Sequence, residues 1–279
     1  MAVGRSLGRH RQDEDRFDLS RVVDLQLDPA AAEGYSNRAQ IARIVTERWV
    51  SRQLYCPACP GDSLSPTRAG TKVVDFTCET CEEEFQLKSL GRPFGSKVTD
   101  AAYAPMIARV DRSDAPNFVF LQYRADRWLV RNLFLVPRFF LSSSVIQRRR
   151  PLGTSARRAG WVGCNILLGS LPHDARIVAI RDEVPLPPET VRDSWQRFAF
   201  LGGQDAESRG WMADVLACVR QLGRETFALT DVYAFESRLS SLHPLNRNIR
   251  PKIRQQLQVM RDHGVLEFLG QGRYRILAP

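Results

Sequence analysis

The stretch VVDFTCETCEEEFQLKS, residues 73–89, places a Cys-x-x-Cys pair between two runs in which apolar and polar residues alternate. Successive side chains of a β-strand point to opposite faces, so Gln86 and Lys88 share one face while their apolar neighbours point into a core. Asp75 has the same relation to the apolar residues of the first run. If CETC makes the turn, the two strands pair antiparallel and Asp75 faces Gln86 and Lys88.

Four cysteines form the pattern C-x2-C-x18-C-x2-C, namely Cys56, Cys59, Cys78 and Cys81. Each pair fits a tight turn whose two sulfurs point the same way, and two such turns supply a tetrahedral thiolate set suited to Zn2+. Four sulfur ligands leave no open position, so the predicted zinc holds structure and does no chemistry. The alternative is four unrelated, reduced cysteines.

Length and composition limit the class of protein. The chain has 279 residues, which favours two domains, and its 43% hydrophobic and 25% charged residues are typical of globular proteins. A formal net charge of +9 favours polyanionic partners such as nucleic acid, although charge alone does not establish binding. The two remaining cysteines, Cys164 and Cys218, are predicted to be buried, unreactive thiols.

Residues 1–20 mix Arg, Asp and Gly without periodicity and are predicted to form a disordered arm. They contain no hydrophobic core of a signal peptide, and no apolar run approaches the roughly 18 residues that span a bilayer. We therefore predict a cytoplasmic protein with no membrane contact.

A first domain is predicted over residues 21–195, ending in the proline-rich connection EVPLPPET at 183–190. An amphipathic helix capped by Ser36 or Asn37 opens it, and a basic loop, QRRRPLGTSARRAGWVGCN, lies at 147–165. The remaining expected elements are one helix at 104–112 and three strands at 117–123, 128–136 and 175–182.

A second domain is predicted over residues 200–279, with the order helix, strand, helix, helix, hairpin that is typical of a winged helix-turn-helix. Thr230 is the expected cap of the second helix. The third helix carries a predicted buried stripe and a glycine C-cap: Ile249, Ile253, Leu257, Met260 and Gly264. The hairpin is expected to turn at residues 270–272.

Asp75, Gln86 and Lys88 together fit the motif D-xn-(D/E/Q)-x-K of the PD-(D/E)xK nucleases. In that chemistry a carboxylate and neighbouring oxygens bind Mg2+ beside the scissile phosphate, and the ammonium orients a water and offsets developing charge. The alternative is a solvated hairpin face with unrelated charges. Glu82, Glu83 and Glu84, on the turn, are expected to be solvated.

Together these segments resemble the DpnI family of methyl-directed restriction endonucleases, which cut GATC sites carrying N6-methyladenine. The resemblance runs from about residue 36 to the end and includes the blocks ARIVTERWVSRQLYCPAC, VVDFTCETCEEEFQLKS, TSARRAGWVGCNI, ESRGW, KIRQQLQVMRD and GQGRYR. It implies an α+β or α/β architecture: a PD-(D/E)xK restriction-endonuclease-like domain with a four-cysteine zinc site, followed by a winged helix-turn-helix domain.

The resemblance also implies roles for single residues. Asp75 becomes a Mg2+ ligand, Gln86 occupies the second ligand position, Lys88 is the catalytic lysine, and the four cysteines are the zinc ligands. One departure matters: the family has an acidic residue where this chain has Gln86. A neutral amide binds Mg2+ more weakly than a carboxylate, because it lacks the charge that offsets the cost of dehydrating the ion.

Two basic segments are the candidates for reading methylated DNA. Arginines can bind phosphates or guanine edges, and an indole can form one wall of a pocket for an adenine methyl group. The alternative for Trp161 is a core tryptophan, and for the residues of the third winged-helix helix it is ordinary solvent exposure. The predicted DNA-binding residues are Arg157, Arg158 and Trp161 in the loop and Arg250, Lys252, Arg254 and Gln255 on that helix.

Three functions remain open at this point. The first is a Mg2+-dependent, methylation-dependent type II restriction endonuclease whose partner is adenine-methylated duplex DNA, with no obligate protein partner. The second is a non-catalytic DNA-binding regulator with a zinc ribbon and a winged helix, which only Gln86 favours. The third is a nuclease for DNA carrying other modifications.

Overall fold

The computed structural model describes residues 23–68 and 73–277. The predicted arm at 1–20 lies outside them. The helices are α1 Arg38–Gln53, α2 Tyr103–Arg112, α3 Pro188–Gln196, α4 Ala206–Gln221, α5 Leu229–Tyr233, α6 Glu236–Leu242 and α7 Ile249–Asp262. The strands of the first part are β1 Ser65–Pro66, β2 Phe76–Thr77, β3 Glu84–Leu90, β4 Val98–Ala102, β5 Asn117–Arg124, β6 Leu129–Val136, β7 Ile146–Arg148, β8 Gly163–Ile166, β9 Ile177–Arg181 and β10 Val184–Pro185. Those of the second are β11 Thr226–Ala228, β12 Leu266–Gly270 and β13 Arg273–Ile276. None of the helices in this described part is both long and apolar enough to cross a bilayer.

A mixed sheet organises the first part of the chain. Within the described residues it has seven strands in the order β1-β2-β3-β5-β6-β9-β10. Strands β3 and β5 run parallel, with Gln86 opposite Phe118 and Lys88 opposite Phe120, and the other neighbours are antiparallel. Strand β5 is buried along nearly its whole length, which explains its continuous apolar sequence.

Helix α1 covers one face of this sheet. Asn37 is the N-cap, as predicted, and its side chain accepts hydrogen bonds from the backbone N–H groups of Ala39 and Gln40. The Thr46 hydroxyl donates to Ser89 Oγ at 3.1 Å, so α1 lies on the face of β3 opposite to that of Gln86 and Lys88.

A second, three-stranded sheet in the order β4-β8-β7 was not predicted. The basic loop connects β7 to β8, and its base is paired: Arg149 N–H donates to Gly163 O, and Leu152 N–H to Trp161 O, both at 2.9 Å. The loop is therefore a ribbon anchored on a sheet. We call residues 149–162 the basic ribbon.

The proline-rich connection is shorter than predicted. Pro188 begins helix α3 at its first position, where a missing backbone N–H costs nothing. Trp195 on this helix packs its ring 6.3 Å from that of Phe85 and 5.6 Å from that of Phe139. The segment therefore belongs to the core of the first part of the chain.

The C-terminal part has the predicted winged-helix order, with one correction. The second predicted helix is two short helices, α5 and α6, and Thr230 does not cap it. Asp231 does so instead, since its carboxylate accepts the backbone N–H of Ala228 at 2.7 Å. The predicted stripe on α7 is buried, and Gly264 has a φ of +67°, as a C-cap glycine requires.

Candidate active site and metal centre

The four cysteines converge at the turn of the β2–β3 hairpin. The Sγ atoms of Cys56 and Cys81 lie 3.6 Å apart, as do those of Cys59 and Cys78, and all four lie within 4.8 Å of one another. A tetrahedral site with Zn–S bonds of about 2.3 Å separates its sulfurs by about 3.8 Å. The predicted cluster is confirmed, and its donor set fits zinc.

The backbone shapes this cluster. Gly61 N–H donates to Cys59 Sγ at 3.3 Å, and a Cβ at Gly61 would lie 3.0 Å from Cys78 Sγ. Burial raises the pKa of the Cys56 thiol. At Cys78 burial also opposes ionisation, but backbone N–H groups of Cys81 and Thr80 outweigh it and lower the pKa to about 7. Thiolates this close together need a cation between them.

Asp75 lies just before β2 and reaches over the next strand. Its backbone N–H donates to Phe85 O at 2.9 Å, and its Oδ2 accepts the backbone N–H of Leu87 at 2.8 Å. Leu87 is the residue between Gln86 and Lys88. The carboxylate is therefore fixed to the backbone of the strand that carries Gln86 and Lys88.

Gln86 corrects the simple alternation expected for β3. The prediction placed it on an open polar face, but only 8% of the residue is exposed, while Leu87 on the other face is half-buried. Among the described residues, its Oε1 atom has no hydrogen-bond partner. A buried acceptor without a donor costs about 1–3 kcal/mol. An amide oxygen beside the Asp75 carboxylate is also a ligand type that Mg2+ accepts, so the residues present fit the ion.

Lys88 does not project freely into solvent. Its Nζ forms an ion pair with Asp100 on β4 and lies 5.8 Å from the centre of the Phe118 ring. The side chain of Lys88 is 17% exposed and that of Asp100 is fully buried. Sequence reasoning missed Asp100. Its only local signal is a carboxylate inside VTDAA, in a strand, where aspartate is depleted.

An open cleft of about 450 Å³ adjoins Asp75 on the side of α1. Arg43, Glu47 and Arg48 of that helix line it together with Asp75. Arg43 pairs with Glu47 at 2.6 Å, and this hydrogen bond and its charge raise the pKa of Arg43, with a further contribution from Asp75. The cleft therefore combines the Asp75 carboxylate with the cationic side chains of Arg43 and Arg48, while neither Gln86 nor Lys88 is among its lining residues.

Two of the three turn glutamates are ion-paired, although the Glu84 side chain remains 43% exposed, and only Glu83 departs from the predicted solvation. Glu83 pairs with Arg138 at 2.8 Å and accepts from Asn117 Nδ2 at 2.7 Å, and Glu84 pairs with Arg109 at 2.6 Å. These contacts join the zinc turn to α2 and β5. A local pattern could not show them, because every partner is at least 25 residues away.

The basic ribbon exposes Arg157 and Arg158. The Arg158 guanidinium lies 5.0 Å from the centre of the Trp161 ring, which is half-buried and outside the hydrophobic core. A Cβ at Gly163 would lie 2.7 Å from that ring, so the glycine lets the indole lie against the backbone. The core alternative for Trp161 does not hold.

The four predicted DNA-binding residues of α7 differ in their contacts. Arg250 pairs with Glu236 at 2.8 Å and lies over the Tyr233 ring, and Arg254 donates to the Tyr233 hydroxyl at 2.7 Å. Both arginines are exposed, but each has a protein partner, whereas the sequence predicted side chains largely free for DNA. Lys252 is half-buried, and Gln255 is exposed.

The two isolated cysteines are buried, as predicted. Burial raises the pKa of Cys218 to about 11, and burial together with the Asp100 carboxylate raises that of Cys164 to about 12. Both thiols are therefore protonated at neutral pH.

Comparison with known families gives two matches. A model described as "DpnI: Dam-replacing family" matches residues 23–204, well over half of the chain, and one described as "DpnI_C: Dam-replacing HTH domain" matches residues 207–276. The boundary between the two matches lies at the start of α4.

Proposed function

We propose that this chain, which belongs to the DpnI or Dam-replacing family, is a Mg2+-dependent endonuclease that cuts duplex DNA at GATC sites carrying N6-methyladenine. Membership of this family supports a DNA-cleaving enzyme of the methylation-dependent restriction type. The observation that best supports the proposal is the hydrogen bond from the backbone N–H of Leu87 to the Asp75 carboxylate. Leu87 lies between Gln86 and Lys88 in the sequence. In this proposal the first part of the chain is a PD-(D/E)xK domain.

Asp75 and Gln86 would hold the magnesium ion. When bound, Mg2+ supplies Lewis-acid stabilisation of the charge that develops on the phosphate and makes a water a better nucleophile. The chain's own contribution is placement, because Asp75 is tied to the backbone of Leu87 and Gln86 is packed into the sheet. Groups that are fixed before the substrate arrives lose little entropy in the reaction.

Lys88 supplies a positive charge beside these two ligands. In the proposed reaction a water attacks phosphorus, a new P–O bond forms, and the bond from phosphorus to the leaving sugar oxygen breaks. One proton leaves the attacking water and another reaches the leaving oxygen. The ammonium of Lys88 donates hydrogen bonds to the incoming water and to a phosphate oxygen, and so offsets the developing charge.

The zinc cluster has a structural role in this proposal. Four thiolates fill a tetrahedral site and leave no position for substrate or water. The cluster sits at the turn of the hairpin whose other end carries Asp75 and Gln86, so the ion fixes the separation of the two strands. We keep the predicted boundaries, 21–195 for the catalytic domain and 200–279 for the winged helix.

Both DNA-binding surfaces read methylated DNA in this account. Trp161 forms one wall of a pocket for a methyl group, and Arg157 and Arg158 bind phosphates or guanine edges. On α7 the readers are Arg250, Lys252, Arg254 and Gln255. One methyl group in a pocket discriminates by about 1–3 kcal/mol. Two tethered domains that each prefer the methylated base multiply their preferences.

The decisive experiment uses one plasmid prepared in adenine-methylating and in non-methylating hosts. We expect the purified protein with Mg2+ to cut only the methylated form, at GATC, and to cut neither form in the presence of EDTA. Cutting of both forms would remove the methyl requirement. Cutting only of DNA with other modified bases would keep the catalytic proposal and change the substrate.

A second candidate function rests on Gln86. A neutral ligand in place of an acidic one weakens Mg2+ binding, which favours a regulator that binds DNA without cutting it. Such a protein would bind methylated duplex and leave both plasmid forms intact at every Mg2+ concentration. The retained Asp75 and Lys88 favour the nuclease.

A further inference from the structure

The ion pair between Lys88 and Asp100 lies in the interior of the first domain. The Asp100 side chain has no exposed surface, and Lys88 retains 17% of its own. A buried carboxylate requires a partner, because it has lost its hydration. Asp100 Oδ1 contacts the Lys88 ammonium, while Oδ2 faces Cys164 Sγ at 4.0 Å. Asp100 thus pairs with the lysine through one oxygen, and its other oxygen faces a thiol.

The two members of the pair belong to different sheets. Lys88 is on β3 of the large sheet, and Asp100 is on β4 of the small one, opposite Cys164 on β8. The pairing of β4 with β8 shifts register between Asp100 and Ala102. Such bulges commonly re-aim a side chain beside an active site. Here the irregularity coincides with the carboxylate that pairs with Lys88 on β3.

The small sheet also carries the basic ribbon. Strand β7 leads directly into the ribbon, and β8 begins two residues after Trp161. Tyr103, which follows β4, donates its backbone N–H to Val162 O at 3.1 Å, and the Arg148 guanidinium lies 5.9 Å from its ring. Backbone contacts therefore connect the basic ribbon to the strand of Asp100. The side-chain ion pair then connects Asp100 to Lys88.

We propose that Asp100 is a positioning residue for the reaction: it holds the Lys88 ammonium at one point and ties that point to the sheet that carries the basic ribbon. The inference rests on the proposed nuclease function. A lysine has a flexible four-carbon stem, so its charge needs an anchor to occupy one place. With Asp100 as the anchor, the small sheet β4-β8-β7 positions both the DNA bound by the basic ribbon and the ammonium of Lys88.

The first test is Asp100→Asn, which removes the charge and keeps the shape. We expect the single-turnover cleavage rate on saturating methylated duplex to fall by roughly 100-fold, as for a misplaced catalytic group. The Kd for the same duplex with Ca2+ should stay within about twofold, because the ribbon is untouched. The matched control is Asp182→Asn, an exposed carboxylate paired with Arg131 at 3.1 Å, which should keep both values.

The second test does not depend on cleavage. We expect the Tm of Lys88→Met/Asp100→Asn to lie above that of Lys88→Met, because the single variant leaves a buried carboxylate without its cation. If the wild type cuts no DNA, this order of Tm values still reports the pair, so failure of the nuclease proposal and failure of the pair are distinguishable.

Three results would overturn the role of Asp100: wild-type cleavage by Asp100→Asn, equal losses of rate and DNA affinity, or additive changes in Tm. If Asp100→Asn does not fold, Lys88→Arg can be used instead. Its guanidinium still provides a cation for Asp100, but the positive charge lies at a different position from that of the lysine ammonium. This variant should then fold, bind DNA normally and cleave at least tenfold more slowly. Normal cleavage by that variant would equally contradict the proposal.

Discussion

The two ends of the β2–β3 hairpin differ in their donor atoms: one carries the four-cysteine cluster and the other the proposed Mg2+ site. At the turn, four soft sulfur ligands lie within 4.8 Å of one another and complete a tetrahedron. At the open end, Asp75 and Gln86 offer two hard oxygen atoms. Asp75 lines a cleft of about 450 Å³, and Gln86 Oε1 has no donor within the described residues. A closed ligand set holds structure, and an incomplete one leaves room for water and phosphate.

This difference predicts that a substitution at the turn unfolds the domain. A substitution at the open end should lower the cleavage rate and leave the fold intact. Structural zinc contributes about 10–16 kcal/mol of apparent binding free energy in zinc-finger peptides. That range is comparable with the whole stability of a domain, about 5–15 kcal/mol.

Cys78→Ser is therefore the variant with the largest expected effect. It should unfold the catalytic domain, with loss of bound zinc and of the cooperative thermal transition, as followed by metal analysis and calorimetry. The control is Cys218→Ser, a buried thiol outside the cluster, which should lose a few degrees in Tm and keep its zinc. If Cys78→Ser kept a stable fold and its zinc, the proposed structural role of the cysteine cluster would be wrong.

Asp75→Ala should abolish cleavage while the fold survives. We expect the single-turnover rate to fall by at least roughly 1,000-fold, because a preorganised group that acts on developing charge is lost. Its Tm should stay close to that of the wild type, and methylated duplex should still bind. Asp111→Ala, an exposed carboxylate on α2, is the control and should cleave normally. A folded Asp75→Ala variant that still cuts would sink the assignment of the open end.

Gly61→Ala should affect stability and zinc binding but not the rate of chemistry. The new methyl group would lie 3.0 Å from Cys78 Sγ and 3.3 Å from Cys59 Sγ. Crowding of this kind costs about 1–3 kcal/mol, and each kcal/mol lowers Tm by about 2–4 °C in a domain of this size. Gly95→Ala has no atom within 4 Å of its Cβ and should change nothing. Equal Tm values for the two variants would show that Gly61 is not confined by the sulfurs.

Gln86→Glu should have the smallest effect, and it should improve Mg2+ binding, whereas the preceding substitutions impair cleavage or stability. A carboxylate beside bound Mg2+ gains about 1 kcal/mol or more, so the Mg2+ concentration for half-maximal cleavage should fall by about fivefold. Activity is kept or increased. Without Mg2+ the buried carboxylate should lower Tm, and added Mg2+ should restore it. Gln221→Glu, at the exposed end of α4, provides the control for a charge change elsewhere. A Gln86→Glu variant that needs more Mg2+ than the wild type would show that residue 86 is not a ligand.

The sequence predicted the cysteine cluster, and it placed Asp75, Gln86 and Lys88 on one hairpin, because both patterns depend on local spacing. Cys-x-x-Cys pairs and the alternation Gln86-Leu87-Lys88 are readable within a few residues. Asp100 was missed because its partner lies on another sheet and its own strand pairs with residues 61–68 positions later. Helix α3 was missed because its prolines suggested a connection, although proline is favoured at a helix start.

The sequence failed to predict the burial of Gln86 for the same reason that it failed to predict the role of Asp100. The small sheet brings Asp100 over the face of β3 that alternation had assigned to solvent, and Phe118 of the parallel neighbour lies alongside. Pattern identifies which residues share a face, but only tertiary packing decides what covers it. The contacts of Glu83 and Glu84 were hidden for the same reason.

The most direct measurement of the central claim is anomalous diffraction from crystals soaked in Mn2+, a hard cation that accepts the oxygen ligands of Mg2+. We expect a zinc peak among the four sulfurs and a separate manganese peak bound by an Asp75 oxygen and Gln86 Oε1, near Lys88. Manganese bound elsewhere at saturating concentration, with Gln86 Oε1 turned to a protein donor, would contradict it.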